Sequence, residues 1–145
     1  MTPQEIRSAI DASPELQALA AARNDAAIAQ ALSIGRTALV SHFASERGVL
    51  ERFAGGPVAA DAMLTKLEAF AASAHPLASI VQRALKFLAQ TEGLDIGSPT
   101  TQALIAQLAA AGVITTAERD GLAAMATRPD PVPVGAVSAA LNEVP

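Results

Sequence analysis

The chain reads as all-α, a compact bundle of short helices with a C-terminal helical hairpin and a Pro-rich strap. Three observations predict this. Ala supplies 35 of the 145 residues while Val, Ile, Leu, Met and Phe supply 39, enough large side chains for one modest core in a helix-favouring background. A capping residue followed by Pro recurs along the chain at Thr2-Pro3, Ser13-Pro14, His75-Pro76 and Ser98-Pro99, with Gly56-Pro57 a weaker version. The longer segments place apolar residues three and four apart, the spacing of one helix face.

The helices follow from these signals in order. Helix 3–11 opens on Thr2, with Pro3 at the first helical position and Glu5 able to reach back, a capping box. Helix 14–22 opens on Ser13, and helices 25–33 and 46–54 follow. Gly55-Gly56 ends the last of these. Helix 57–73 carries Met63, Leu67, Phe70 and Ala74 on one stripe. Helix 76–91 carries Leu77, Val81, Ala84 and Leu88 with Leu85 beside them, and Gly93 stops it. Helix 99–111 begins at Ser98-Pro99 and ends at Gly112. Helix 116–126 begins with a second capping box, Thr115 with Glu118. Across that tight turn Leu104, Ile105 and Leu108 face Leu122 and Met125, which makes the hairpin. A last helix covers 134–142. Only Arg36 to Phe43 and Leu94 to Ile96 look extended.

Two breaks organise the chain: Gly93 to Pro99, and the strap from Thr127 to Gly135 with its three Pro. They predict an N-terminal helical part (1–92), a hairpin of the same domain (93–126), and a strap with terminal helix (127–145). Residues 1–92 carry 8 basic and 9 acidic groups and residues 93–145 carry 2 and 5, so the negative charge gathers late. A net charge of −4 is the wrong sign for bulk attraction to phosphate backbones or anionic lipid. With no Cys, disulfides, thiolate metal sites and a cysteine nucleophile are excluded. With no Trp or Tyr and four Phe, an aromatic platform for sugars or bases is not expected. The opening residues lack a basic and then apolar leader, and the longest uncharged run, Asp95 to Glu118, holds Pro99, Gly97 and Gly112. We therefore expect a cytosolic product without membrane insertion.

Candidate chemistry is sparse. His42 and His75 are the only histidines and lack metal-ligand spacing; His75 reads more simply as a helix-start residue. No G-x-S-x-G elbow is present, and neither glycine cluster leads into the Lys-Ser/Thr of a phosphate loop. Asp61 and Glu68 share a helix face that reads as the solvated one. The 111–115 turn lacks the carboxylates of a calcium loop. No catalytic residue, cofactor or metal is predicted, and no enzymatic activity is expected.

The sharpest local pattern is residues 28–43, which looks like a helix-turn-helix of the bacterial repressor kind. In it Ala29 packs between the helices, Ser33 takes the turn position, and Ile34 and Leu39 fill the core. Arg36, Thr37, Ser41 and His42 then face the DNA groove, with phosphate contacts from Arg47 and Arg52. Against it, the turn Gly falls two places late at Gly35, and residues 36–52 carry a net charge of only +1. A small DNA-binding regulator is thus an alternative reading, beside plain helix–loop packing.

The C-terminal half resembles small alanine-rich helical proteins encoded among the virion genes of tailed bacteriophages. The resemblance is carried by Leu94-Asp95-Ile96-Gly97-Ser98-Pro99, by Leu104 to Thr115, by Ala117-Glu118-Arg119, and by the strap Asp130-Pro131-Val132 leading to Val137 through Leu141. The capped opening, Ile6 to Asn24, fits as well. It implies a non-enzymatic structural or assembly component at the neck, tail or fibre attachment. Its implied partners are other phage structural proteins or a second copy of itself. Alanine-rich helices bury little area each, which also favours assembly. The residues expected to bind a partner are Val132, Val134, Val137 and Leu141, with packing onto the protein's own domain as the alternative.

Overall fold

A computed structural model describes residues 1–142 of the chain; the end of the 127–145 segment, residues 143–145, lies outside the described residues. Among the described residues the helices are α1 (Pro3–Asp11), α2 (Pro14–Ala21), α3 (Asp25–Ser33), α4 (Glu46–Arg52), α5 (Gly56–Ala71), α6 (Ala78–Leu88), α7 (Pro99–Ala110), α8 (Thr116–Met125) and α9 (Val134–Asn142). The strands are β1 (Thr37–Leu39), β2 (Phe43–Ala44), β3 (Leu94–Asp95) and β4 (Thr127–Pro129). The fold is predominantly α. It departs from all-α by two small sheets, β1 with β4 and β2 with β3.

The capping grammar is realised atom by atom. In α1 the Thr2 hydroxyl accepts from the Glu5 N–H at 3.3 Å, and the Glu5 carboxylate accepts from the Thr2 N–H at 2.6 Å. In α8 the Thr115 hydroxyl accepts from the Glu118 N–H at 3.1 Å and Glu118 returns the bond at 2.8 Å. Ser13, Asn24, Ser45 and Ser98 cap α2, α3, α4 and α7 by the same side-chain acceptance. The helix expected from residue 76 begins instead at Ala78. His75 accounts for the delay: its ring Nδ1 accepts from the Leu77 N–H at 3.1 Å, and its own N–H donates to Ser73 Oγ at 3.3 Å. That local network holds a turn where a helix could have started.

The chain divides into two compact units, Met1–Ala38 with the segment from Pro129 onward, and Leu39–Arg128. The break at 93–97, expected to separate a hairpin from the part before it, falls inside the second unit, because Ile96 is buried there and Leu94 packs beside it.

Unit 1 is built from α1, α2, α3 and α9, with α9 packed against α1 and α3. Ile6 and Ile10 from α1, Leu16 from α2 and Ile28 from α3 meet Val132 of the strap and Val137 of α9 in one cluster. Polar contacts fasten the strap. Ser33 Oγ accepts from the Val132 N–H at 2.8 Å while donating to the Ala29 carbonyl. The Arg36 guanidinium bonds the Asp130 carboxylate and its carbonyl, and the Asp130 N–H donates to the Arg36 carbonyl at 3.1 Å. Ser138 bonds the Asp25 carboxylate at the start of α3.

Unit 2 holds α4 to α8 with β2 and β3, which pair antiparallel with Phe43 opposite Asp95 and Ala44 opposite Leu94. Met63, Leu64 and Leu67 of α5 meet Val81 and Leu88 of α6, Ile105 and Leu108 of α7, and Leu122 and Met125 of α8. Gly121 and Gly97 are among the glycines that allow close approach. A side chain at Gly121 would bring its Cβ within 2.7 Å of the Phe53 ring, so that ring seats directly on α8. A Cβ at Gly97 would lie 1.7 Å from the Val40 carbonyl oxygen. Lys66 of α5 reaches Glu118 at 2.6 Å, tying α5 to the cap of α8.

Candidate interaction surfaces

The expected second helix of a helix-turn-helix is not formed. α3 ends at Ser33, Gly35 takes the left-handed region at φ 71°, and the backbone then runs extended through β1 toward β2. Long-range backbone bonds replace helical ones: the Val40 N–H donates to the Ala126 carbonyl at 2.9 Å, and the Ile96 N–H to the His42 carbonyl at 3.0 Å. The four groove-facing residues of the DNA reading therefore have other surroundings. Arg36 clamps Asp130 in unit 1, and Thr37 is an exposed residue of β1.

Ser41 and His42 belong to unit 2, where both serve Asp95. Ser41 Oγ donates to its carboxylate at 2.7 Å, the His42 N–H at 2.8 Å and the Gly97 N–H at 3.0 Å. These bonds, the Ser41 hydroxyl first and then the His42 amide, hold the Asp95 carboxyl below the ordinary aspartate range. Asp95 is thus an organising acceptor for the turn into α7, a role the sequence hints at through its Asp-Ile-Gly pattern. The proposed phosphate contacts fare no better. Arg47 pairs with Glu51 at 2.7 Å. Arg52 lines a groove of about 240 Å³ together with Arg47, Glu51 and Glu92, so basic and acidic groups balance there.

The strap residues split by environment. Val132 and Val137 are buried in the core of unit 1, which takes them out of reach of a partner. Val134 and Leu141 remain exposed, at 47% and 36%. Asp61 and Glu68 are both on the solvent side of α5. Among the described residues no three His, Asp or Glu come together as a metal site, and no described helix is long and apolar enough to cross a membrane. The core of unit 2 holds a partly open pocket of about 60 Å³ lined by Val49, Met63, Val81, Leu85, Ile105 and Thr101 among others. That is well below the roughly 150 Å³ that accepts a benzene-sized guest.

The sequence reading missed the apolar side chains left outside. Phe43 is 62% exposed, Phe87 52%, Ile80 46% and Val58 83%. Ile80, Arg83, Ala84 and Phe87 stand at i, i+3, i+4 and i+7 along α6, while Ala78, Val81 and Leu88 occupy its buried side. The buried stripe was legible from periodicity. The exposed one was not, because a second apolar series displaced around the same helix has the same spacing as the core-forming one. No protein-family model, no curated protein and no solved structure matches the chain.

Proposed function

We propose that this protein is a non-enzymatic structural or assembly component of a tailed-phage virion, at the neck, tail or fibre attachment, acting by contacts with other virion proteins. The observation that carries the contact reading is the exposure of large apolar side chains, including two of the four Phe, on a protein that buries no Asp, Glu, Lys or Arg among the described residues. The virion assignment is supported by the resemblance of the C-terminal half, from Leu94 to Arg119 and from Asp130 to Leu141. Val134 and Leu141 stay available as contact residues, whereas Val132 and Val137 act by closing unit 1. The DNA-binding alternative has no observation in its favour once Arg36, Ser41 and Arg47 are engaged within the protein.

The test is peptide mass spectrometry on density-purified particles of the source phage, with infected-cell lysate alongside. Peptides in particles at a fixed ratio to the portal are expected. Peptides abundant in lysate and missing from particles would overturn a structural place in the particle and leave an assembly factor or a regulator.

A further inference from the structure

α6 presents two faces with different fates. Its buried side, Ala78, Val81 and Leu88, packs into unit 2. On its other side, at ~100° per residue, Phe87 falls ~20° from Ile80, with Arg83 a further ~40° round. Ala84, half-buried, edges this stripe on the side nearer the core. Seven residues of helix make the stripe ~10 Å long.

Along the chain the charge of this stretch is one-sided, as far as Glu68 and Glu92 at its two ends. From Ala69 to Thr91 there is no Asp or Glu, while Arg83 and Lys86 supply two positive charges on a chain of net charge −4. Three other cations of unit 2 are matched by acids: Arg47 pairs with Glu51, Lys66 with Glu118, and Arg119 with Asp120. Arg83 and Lys86 are exposed, and no ion pair is recorded for either among the described residues.

We propose that the face of α6 formed by Ile80, Arg83, Ala84 and Phe87, with Lys86 beyond its Arg83 edge, is a docking site for an acidic amphipathic helix of a partner protein. The inference rests on the protein-contact reading given above and names its surface and partner chemistry. An apolar stripe spaced i, i+3, i+4, i+7 is the pattern by which one helix receives another. The flanking cations then select a helix with Asp or Glu beside its apolar stripe, and they disfavour the many basic or neutral helices that could fill the same area. An anionic membrane is a poorer fit, since two large apolar side chains give a shallow anchor. Duplex DNA is poorer still, since two cations neutralise too few phosphates to hold it at physiological salt.

The experiment uses the full chain with a photo-reactive benzophenone side chain at position 87, and the same group at position 58 as control, irradiated in infected cells before lysis. The adducts are digested and sequenced by mass spectrometry. An adduct from position 87 with a helical segment of a second protein, rich in Asp or Glu beside an apolar stripe, is expected. Its yield should fall at least tenfold with Arg83→Glu, while position 58 gives no such adduct. Circular dichroism on Arg83→Glu, an exposed change, establishes that the fold is retained. The proposal is overturned by no protein adduct from position 87, by an adduct indifferent to Arg83→Glu, by an adduct with phospholipid or nucleic acid, or by an adduct with a second copy of this chain. An acidic-helix adduct on a protein absent from purified particles would support the docking chemistry while overturning a structural place in the particle, so the two readings fail separately.

Discussion

Ending the chain at Arg128 should unfold unit 1 and leave unit 2 standing. The strap and α9 give unit 1 three of its buried residues, Val132, Val137 and Ala140. Burying Val132 and Val137 is worth about 1.5–3 kcal/mol each, so their loss removes about 3–6 kcal/mol. The Val132 N–H bond to Ser33 adds about 1 kcal/mol. The Arg36–Asp130 pair, about a third exposed on each side, adds less than about 1 kcal/mol after solvent screening. Against this, a unit of roughly 55 residues holds only about 3–8 kcal/mol at the usual 0.05–0.15 kcal/mol per residue. The loss is comparable to everything the unit has. Since the chain has no Trp or Tyr, the assay is far-UV circular dichroism with hydrogen exchange read by mass spectrometry. The 9, 8 and 9 residues of α1, α2 and α3 should lose helicity and protection together, while α5 and α7 keep theirs. Val137→Ala is the milder version, at about 1.6 kcal/mol from the removed methyl groups plus up to about 1 kcal/mol of cavity. Undiminished protection in α1 to α3 of the shortened chain would refute the claim that the strap is core.

Further outcomes can be stated for single positions. Gly97→Ala should cost about 3 kcal/mol or more, because its Cβ would overlap the Val40 carbonyl at 1.7 Å; an unchanged urea midpoint would contradict that packing. Gly135→Ala, in the first turn of α9 with open space around it, should instead stabilise by about 0.5 kcal/mol in the same measurement. Arg23 sits at φ 51° where α2 ends, with the Asn24 N–H on the Leu19 carbonyl and the Arg23 N–H on the Ala20 carbonyl. Arg23→Gly should gain about 0.5–1 kcal/mol, the relief of left-handed strain less the added freedom of the unfolded chain. Asp95, held below its unfolded value of about 3.9, stabilises unit 2 above that pH and loses the contribution as pH falls through its folded value. Asp95→Asn should flatten the acid limb of unit 2 in a circular dichroism titration, and an unaltered limb would remove Asp95 from the account.

The local architecture was legible because its signals are local. Thr2, Ser13, Ser98 and Thr115 cap the helices they were read to cap, since a side-chain acceptor and the N–H it serves are only three residues apart. Leu94 and Asp95, and part of Arg36 to Phe43, are extended as expected, while Ile96 already belongs to the turn into α7. The repressor-like reading of 28–43 failed for a physical reason: its periodicity does not record that the Val40 amide bonds a carbonyl 86 residues later. The partition into units was hidden in the same way, since the strap's partners, Ile6, Ser33 and Arg36, lie about a hundred residues upstream. For the candidate surface, the buried stripe of α6 was visible and its exposed stripe was not. What distinguishes Ile80 and Phe87 from core residues is the tertiary position of the helix, which no spacing within it encodes.

The discontinuity of unit 1 has a consequence for synthesis. Residues 39–128 form a contiguous unit that has all its own core side chains once Met125 and Ala126 have left the ribosome. Residues 1–38 are made first and yet must wait, with Ile6, Ile10 and Ile28 lacking their partners, until Val132 and Val137 arrive. Residues 1–38, made before unit 2, are therefore completed after it. During that interval residues 1–38 offer chaperones an apolar, helix-prone segment, and a translational stall before residue 132 would leave unit 2 folded and Ile6, Ile10 and Ile28 without their partners.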